Sequence, residues 1–138
     1  MKKIYSKVYP DKLLHIINNL SDISNRSDII PDDNFLQLAT LKMSSGKTFR
    51  PHKHIWKDNK TNSSIAQESW VVIKGSVKVY FYDLDNTLLS TEIINHGDCS
   101  ITLEGGHNYE ILEDDTIVYE YKTGPYLGVE LDKVFIDD

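Results

Sequence analysis

The stretch Gly46-Lys-Thr-Phe-Arg-Pro-His52-Lys-His54 carries two histidines separated by a single residue. In an extended strand alternate side chains leave the same face, so His52 and His54 would lie close enough together to hold one ion. Neutral imidazole is the commonest metal-binding side chain. An isolated His-x-His pair is weak evidence, because short motifs also match by chance. The sequence on either side therefore decides how the pair is interpreted.

The surrounding sequence has the two-residue period of β-strands. Apolar and polar side chains alternate over short runs, and turn-forming pairs such as Gly97-Asp98 and Gly105-Gly106 separate these runs. Short strands at this even spacing predict an all-β sandwich or small barrel. The predicted strands cover residues 35–43, 69–74, 76–82, 88–94, 99–103, 107–112 and 116–122.

The N-terminal part has a different period. Over residues 11–23 the apolar side chains recur at intervals of three and four, which predicts a short amphipathic helix that Asp11 would cap. We therefore expect an N-terminal helix and loop over residues 1–34, followed by a single barrel domain over residues 35–138.

Composition limits the classes of function. The chain has 138 residues, within the usual length of one domain. A net charge of -6 argues against nucleic acid or an anionic membrane as partner, and the chain has no apolar run of about 20 residues that could span a bilayer. The start lacks the apolar core of a signal peptide, and Cys99 is the only cysteine, so no internal disulfide can form. We expect a cytoplasmic protein.

The His-x-His stretch and the sequence that follows it resemble the signatures of a known family. Gly46 to His54, followed by Glu68-Ser-Trp-Val-Val-Ile-Lys-Gly75, resembles the first signature of the cupin superfamily: Gly, five residues, His-x-His, a spacer, Glu, six residues, Gly. The stretch Gly97-Asp-Cys-Ser-Ile-Thr-Leu103-Glu-Gly105-Gly106-His107 partly resembles the second signature, with Leu103 in place of a proline and the histidine one residue early. The resemblance implies a double-stranded β-helix, that is, a jelly-roll barrel.

The resemblance also implies a set of metal ligands. His52, His54, Glu68 and His107 would together hold one divalent transition metal, and this ligand set suits Fe, Mn, Ni, Cu or Zn. The spacer between His54 and Glu68 is longer than is usual in the family. Its polar residues 57–64 are predicted to form a loop or an extended hairpin, since insertions in surface loops cost little.

The same alternation predicts the walls of a pocket. If the proposed ligands point inward, then Arg50, Trp70 and Tyr109 point inward as well and become candidate substrate-binding residues. An inward arginine would pair with a carboxylate or phosphate of the ligand.

The candidates for catalysis are His52, His54 and Glu120. Glu120 alternates with Tyr119 and Tyr121, and only one of these two sets can face the pocket. An inward Glu120 could act as a general base, whereas inward tyrosines would supply hydroxyl donors.

Three functions are compatible with these residues. The first is a metal-dependent cupin enzyme that acts on a small polar metabolite. The second is a metal-independent sugar-nucleotide isomerase or epimerase that uses the His-x-His pair as acid and base. The third is a non-catalytic ligand-binding cupin, since one fold hosts many activities. In each case the partner is a small molecule, possible examples being a sugar or a sugar nucleotide, and the resemblance suggests a homodimer.

Overall fold

Two antiparallel five-stranded sheets form the barrel in the computed structural model, which describes residues 1–58 and 63–136. Sheet I has the strand order β10-β9-β12-β5-β14, and sheet II has the order β11-β8-β13-β4-β3. In chain order the strands are β1 (Lys2–Tyr5), β2 (Leu13–Ile17), β3 (Ser27–Asp28), β4 (Leu36–Met43), β5 (His52–His54), β6 (Trp56–Asp58), β7 (Ser63–Ile65), β8 (Glu68–Lys74), β9 (Ser76–Tyr82), β10 (Leu88–Asn95), β11 (Cys99–Thr102), β12 (Gly106–Ile111), β13 (Thr116–Thr123) and β14 (Lys133–Phe135).

The core lies between the two sheets, where inward-facing side chains of β4, β8, β9, β12 and β13 meet. Val77 and Val79 of sheet I are fully buried, as are Val72 and Val118 of sheet II. This alternation is the pattern that predicted an all-β barrel, and each of the strands predicted within residues 35–122 is present with its ends shifted by at most one residue. The prediction of an all-β jelly-roll fold is therefore confirmed.

The predicted N-terminal helix is wrong. Residues 11–23 instead contain strand β2, which pairs with β1, and a 3-10 turn over Leu20–Asp22. Tyr5 pairs with Leu13 whereas Ile4 pairs with His15, so Leu14 is an extra residue in a bulge. The bulge brings Leu13 and Ile16, both half-buried, to one side of the hairpin. A three-residue interval that looked helical therefore arises from a bulged strand.

A single short helix, α1 (Val129–Asp132), lies in the described part of the chain, directly before β14. Within the same residues no helix has the length and apolar character needed to cross a bilayer. The position of α1 matters for the site, because its last residue, Asp132, is fully buried.

The long spacer between His54 and Glu68 contains a hairpin. Strands β6 and β7 pair antiparallel, with Trp56 opposite Ile65. Part of the loop predicted for residues 57–64 is therefore strand, and its central residues 59–62 lie outside the described residues. The hairpin returns the chain to the start of β8, where Glu68 stands.

Candidate metal centre

Four side chains from three strands meet inside the barrel, and we call them the His/Glu cluster: His52, His54, Glu68 and His107. Strand β5 supplies the His-x-His pair, and β12 places His107 directly opposite His52 in sheet I. Glu68 reaches the same point from the first position of β8 in sheet II. One donor atom from each residue lies within 4.8 Å of all the others, and all four residues are buried.

The Glu68 carboxylate lies between two imidazoles. Its Oε2 is 3.1 Å from Nε2 of His54, and its Oε1 is 3.3 Å from Nε2 of His107. The rings of His52 and His107 have their centroids 4.7 Å apart. The fold therefore brings together the four side chains that the sequence resemblance implied as ligands.

The protonation states of His52 and Glu68 favour metal binding, whereas burial alone would lower the pKa of His54 but its hydrogen bonds to Asp132 and Glu68 raise it. Burial lowers the pKa of His52 to about 3, helped by the nearby charges of His107 and Lys133, so this imidazole is neutral. Burial alone would raise the pKa of Glu68, but the charge of His107, together with the hydrogen bond and charge of His54, outweighs it and holds that pKa well below its usual value. A neutral imidazole and an ionised carboxylate are the forms that coordinate metals.

The ring nitrogens of His52 and His107 that face away from the cluster are hydrogen-bonded to other groups. Nδ1 of His52 lies 3.1 Å from the carbonyl oxygen of Arg50, which can only accept, so Nδ1 carries the proton and Nε2 keeps its lone pair. Nδ1 of His107 lies 2.8 Å from Oγ1 of Thr102. The buried Nε2 of His107 faces Oε1 of Glu68 at 3.3 Å but makes no hydrogen bond within the described part of the chain. A buried nitrogen that makes no hydrogen bond and lies among three other metal-ligating atoms fits a metal ion.

Asp132 supports His54 from outside the cluster. Its carboxylate is fully buried and lies 3.1 Å from Nδ1 of His54. The ammonium groups of Lys57 and Lys122 each lie 3.1 Å from the same carboxylate. Sequence reasoning missed Asp132, because it lies 78 positions after His54 and belongs to neither signature.

A cavity of about 350 Å³ opens beside the cluster. Its walls include His52 and Glu68 of the cluster, with the aromatic rings of Phe49 and Tyr126. Such a volume suits a small metabolite. The other charged side chains on its walls are Arg26, Asp28, Asp32, Glu120, Lys122 and Lys133.

Trp70 and Tyr109, both expected to point inward, do so. Their rings stack 3.8 Å apart, and both residues are buried. The indole N–H of Trp70 lies 3.1 Å from Oε1 of Glu68 and 3.0 Å from Oε2 of Glu120, so it donates to two carboxylates. The structure thus settles which side of β13 faces the cavity, since Glu120 lines it and Tyr121 is exposed.

Arg50 is not brought to the cavity. Its side chain is exposed, and its guanidinium lies 4.2 Å from the ring centroid of Phe135. The alternation of β5 begins at His52, so it does not extend back through Pro51 to Arg50. The arginine on the cavity wall is Arg26, whose Nη2 lies 2.9 Å from Oε1 of Glu120. No local sequence pattern indicated Arg26, because its partner is 94 positions away.

The sequence matches no protein-family profile and no curated protein, whereas many solved structures match the fold. One is an uncharacterized conserved protein with a double-stranded β-helix domain from Klebsiella pneumoniae, at TM-score 0.59 and 15% identity over 82% of this chain and 84% of that one. The cupin domain of Schizosaccharomyces pombe Cnp3 matches at TM-score 0.61 and 10% identity, over 88% of this chain and 84% of that one.

A third similar structure belongs to a longer protein. The capsular polysaccharide assembling protein CapF from Staphylococcus aureus matches at TM-score 0.63 and 15% identity over 82% of this chain, which spans 32% of CapF. Identities this low establish the fold and no more. The chain has the double-stranded β-helix fold of the cupins.

Proposed function

We propose that this protein is a metal-binding cupin and an enzyme that acts on a small polar metabolite in the cavity beside the His/Glu cluster. The observation that carries the proposal is the cluster itself: three buried imidazoles and one carboxylate whose donor atoms lie within 4.8 Å of one another. The Nε2 of His107 supports it, because this buried atom makes no hydrogen bond within the described residues and such a group is costly.

A divalent ion of the group Fe, Mn, Ni, Cu or Zn would supply a Lewis acid at the open side of the cluster. The protein's own side chains would orient the carboxylates and bind the substrate. Trp70 fixes Glu68 and Glu120 through one indole N–H, which holds the two carboxylates in a set relation. Substrate-binding roles for Trp70 and Tyr109 belong to the same proposal.

Glu120 is the group best placed to move a proton. With His52 and His54 engaged as ligands, Glu120 is the remaining catalytic candidate, and it lines the cavity. Arg26 and Trp70 orient its carboxylate through hydrogen bonds of 2.9 and 3.0 Å. This arrangement favours an enzyme over a purely ligand-binding cupin, because a positioned carboxylate beside a Lewis acid is suited to general acid–base catalysis.

One observation favours the metal-independent alternative. Asp132 lies 3.1 Å from Nδ1 of His54, and such a buried carboxylate stabilises a charged imidazole during proton transfer. CapF, one of the similar structures, is a capsular polysaccharide assembling protein. A sugar-nucleotide isomerase or epimerase is therefore the second candidate, with His54 as acid or base. Homodimerisation and a cytoplasmic location stay predictions.

Elemental analysis of the untagged, unchelated protein tests the metal site. We expect close to one transition metal per chain, lost in His52→Ala and in His107→Ala. The matched control is His15→Ala, which removes an exposed histidine far from any signature and should retain the metal. Circular dichroism confirms that each variant is folded.

Two results would redirect the proposal. A folded wild-type protein that stays metal-free after incubation with each of the five metals would contradict it. We would then expect a saturable thermal shift with a dTDP- or UDP-sugar, which is the result the metal-independent isomerase requires. A metal-loaded protein that binds small metabolites but turns none over would be a ligand-binding cupin.

A further inference from the structure

Lys133 projects toward the His/Glu cluster from the strand next to it. It is the first residue of β14 and pairs with His54 of β5 in sheet I. Directly opposed residues of an antiparallel pair share a face of the sheet. Lys133 therefore lies on the face that carries the cluster, and its half-buried side chain lines the cavity.

The ammonium of Lys133 has a different partner from the ammonium groups of Lys57 and Lys122, which contact a carboxylate. Lys57 and Lys122 each lie 3.1 Å from the Asp132 carboxylate. Within residues 1–58 and 63–136, the recorded contact of the Lys133 ammonium is with Nε2 of His52 at 3.4 Å, and it forms no ion pair with a carboxylate. The Lys133 ammonium on the cavity wall is thus not in direct contact with a carboxylate of the described residues, and a ligand can contact it there.

A bound metal would increase the need for an anionic ligand beside Lys133. The inference therefore rests on the proposed metal-binding function. Nε2 of His52 is the atom that a metal would bind, which would remove the only hydrogen-bond partner that the ammonium has within the described residues. A divalent ion would then stand beside a half-buried ammonium, and like charges at such short range repel strongly. An anionic ligand that contacts both groups would remove the repulsion.

We infer that Lys133 is the anion-binding residue of this cavity and that the ligand is a small hydroxy acid whose carboxylate contacts both the metal and Lys133. A carboxylate has two oxygens and forms strong, charge-assisted hydrogen bonds with an ammonium. Asp32 and Glu120, also on the cavity wall, would accept hydrogen bonds from hydroxyl groups, and Asp32 would repel a second carboxylate. Arg26 and Lys122, the other cations of the wall, are already paired with Glu120 and Asp132. The cavity therefore selects monocarboxylic over dicarboxylic acids.

Binding of glycolate to the full chain loaded with Co²⁺ tests the inference without any assay of activity. The visible spectrum of Co²⁺ reports the change at the metal, and glycolate should give saturable binding. In Lys133→Met we expect the glycolate affinity to fall about tenfold or more, since a hydrogen bond between charged groups is lost. Co²⁺ should still bind, at least as tightly as in the wild type, because a repelling charge is gone.

Two variants control for charge and position. Lys133→Arg keeps the charge and should keep most of the glycolate affinity. Lys53→Met removes a positive charge from β5 itself, at a residue whose ammonium donates to the Leu84 carbonyl 2.8 Å away, and it should leave glycolate binding unchanged. Ethylene glycol, which carries no charge, should bind equally to wild type and Lys133→Met.

The outcomes separate the two proposals. Equal glycolate affinity in Co²⁺-loaded wild type and Lys133→Met, or an equal loss in Lys53→Met, would overturn the role of Lys133 and leave the metal site standing. Tighter binding of malonate than of glycolate would overturn the monocarboxylate selection. A folded wild-type protein that takes up neither Co²⁺ nor any of the five metals would overturn the proposed metal site and this inference with it.

Discussion

Asp132 lies outside the two sequence signatures, yet its carboxylate controls the orientation and the proton of His54. A buried ion costs several kcal/mol unless it is well paired. Burial alone would raise the pKa of Asp132, but the hydrogen bond from His54 and the charge of Lys122 hold that pKa far below its usual value. Asp132 is therefore an anion that keeps the Nδ1 proton of His54 in place and turns Nε2 toward the cluster.

Replacing Asp132 with asparagine should weaken metal binding about 10- to 100-fold, the usual effect of losing a partner behind a metal-bound imidazole. The change keeps the shape of the side chain but leaves Lys57 and Lys122 without their counter-charge. Isothermal titration with Zn²⁺ measures the affinity. The control, Asp115→Asn, makes the same chemical change at an exposed carboxylate 3.1 Å from Lys42. An unaltered affinity in Asp132→Asn would contradict the assigned role.

At the residue scale, prediction succeeded where the information was local. His52 and His54 are two residues apart, and the alternation of strands correctly placed Trp70 and Tyr109 inside. It misplaced Arg50, because the strand begins only at His52. Contacts between residues far apart in sequence, such as those of Asp132 and Lys133, follow from how β14 docks on β5, and no periodicity encodes that docking.

At the scale of elements, the turn between β8 and β9 packs tightly against the start of β13, the neighbour of β8 in sheet II. Gly75 has a φ of +83°, and a Cβ at this position would lie 2.3 Å from Oγ1 of Thr116 and 3.1 Å from its Cα. Glycine is therefore required there twice, once for the backbone conformation and once for the space. The glycine that closes the first cupin-like signature thus has a packing role.

Alanine at position 75 should destabilise the fold more than alanine at position 97. Gly97 has a φ of +90°, but its Cβ would meet nothing within 4 Å, so Gly97→Ala measures the conformational cost alone, about 1–2 kcal/mol. Gly75→Ala adds the collision with Thr116, for about 1–3 kcal/mol more. Urea denaturation of both variants gives the two free energies of unfolding. Equal values would show that Thr116 moves aside without cost.

The N-terminal hairpin marks the limit of prediction at this scale. Most strands within residues 35–122 were predictable because they bury side chains on at least one face, with a clear alternation in β8 and β11, although β10 stays largely exposed. The β1–β2 hairpin shares no ladder with sheets I and II, and most of its side chains are exposed. With little burial to impose a period of two, a single bulge at Leu14 was enough to imitate a helix.

At the scale of the whole molecule, the His/Glu cluster joins the two sheets. Three of its side chains come from β5 and β12 of sheet I, and Glu68 comes from β8 of sheet II. A bound ion would thus cross-link strands that are distant in sequence and belong to opposite walls of the barrel. Metal binding should therefore be coupled to the stability of the whole fold.

A free metal concentration of 100 times the dissociation constant should add about 2.7 kcal/mol to the free energy of unfolding. For a domain of this size that corresponds to a rise in Tm of roughly 5–10 °C. Differential scanning calorimetry with and without Zn²⁺ measures the rise, and a chelator should reverse it. His107→Ala should show no rise. A Tm that does not respond to metal in the wild type would mean that the ion is not held between the sheets.

Asp132 lies 78 positions after His54, which bears on the order in which the site can assemble during folding. All four donors of the cluster precede α1 and β14 in the chain, so a partly folded chain in which this C-terminal segment has not yet docked would present its ligands without Asp132 or Lys133. An ion captured at that stage would be held loosely and would exchange with the pool. The choice of metal would thus be made late, when β14 closes over the loaded barrel.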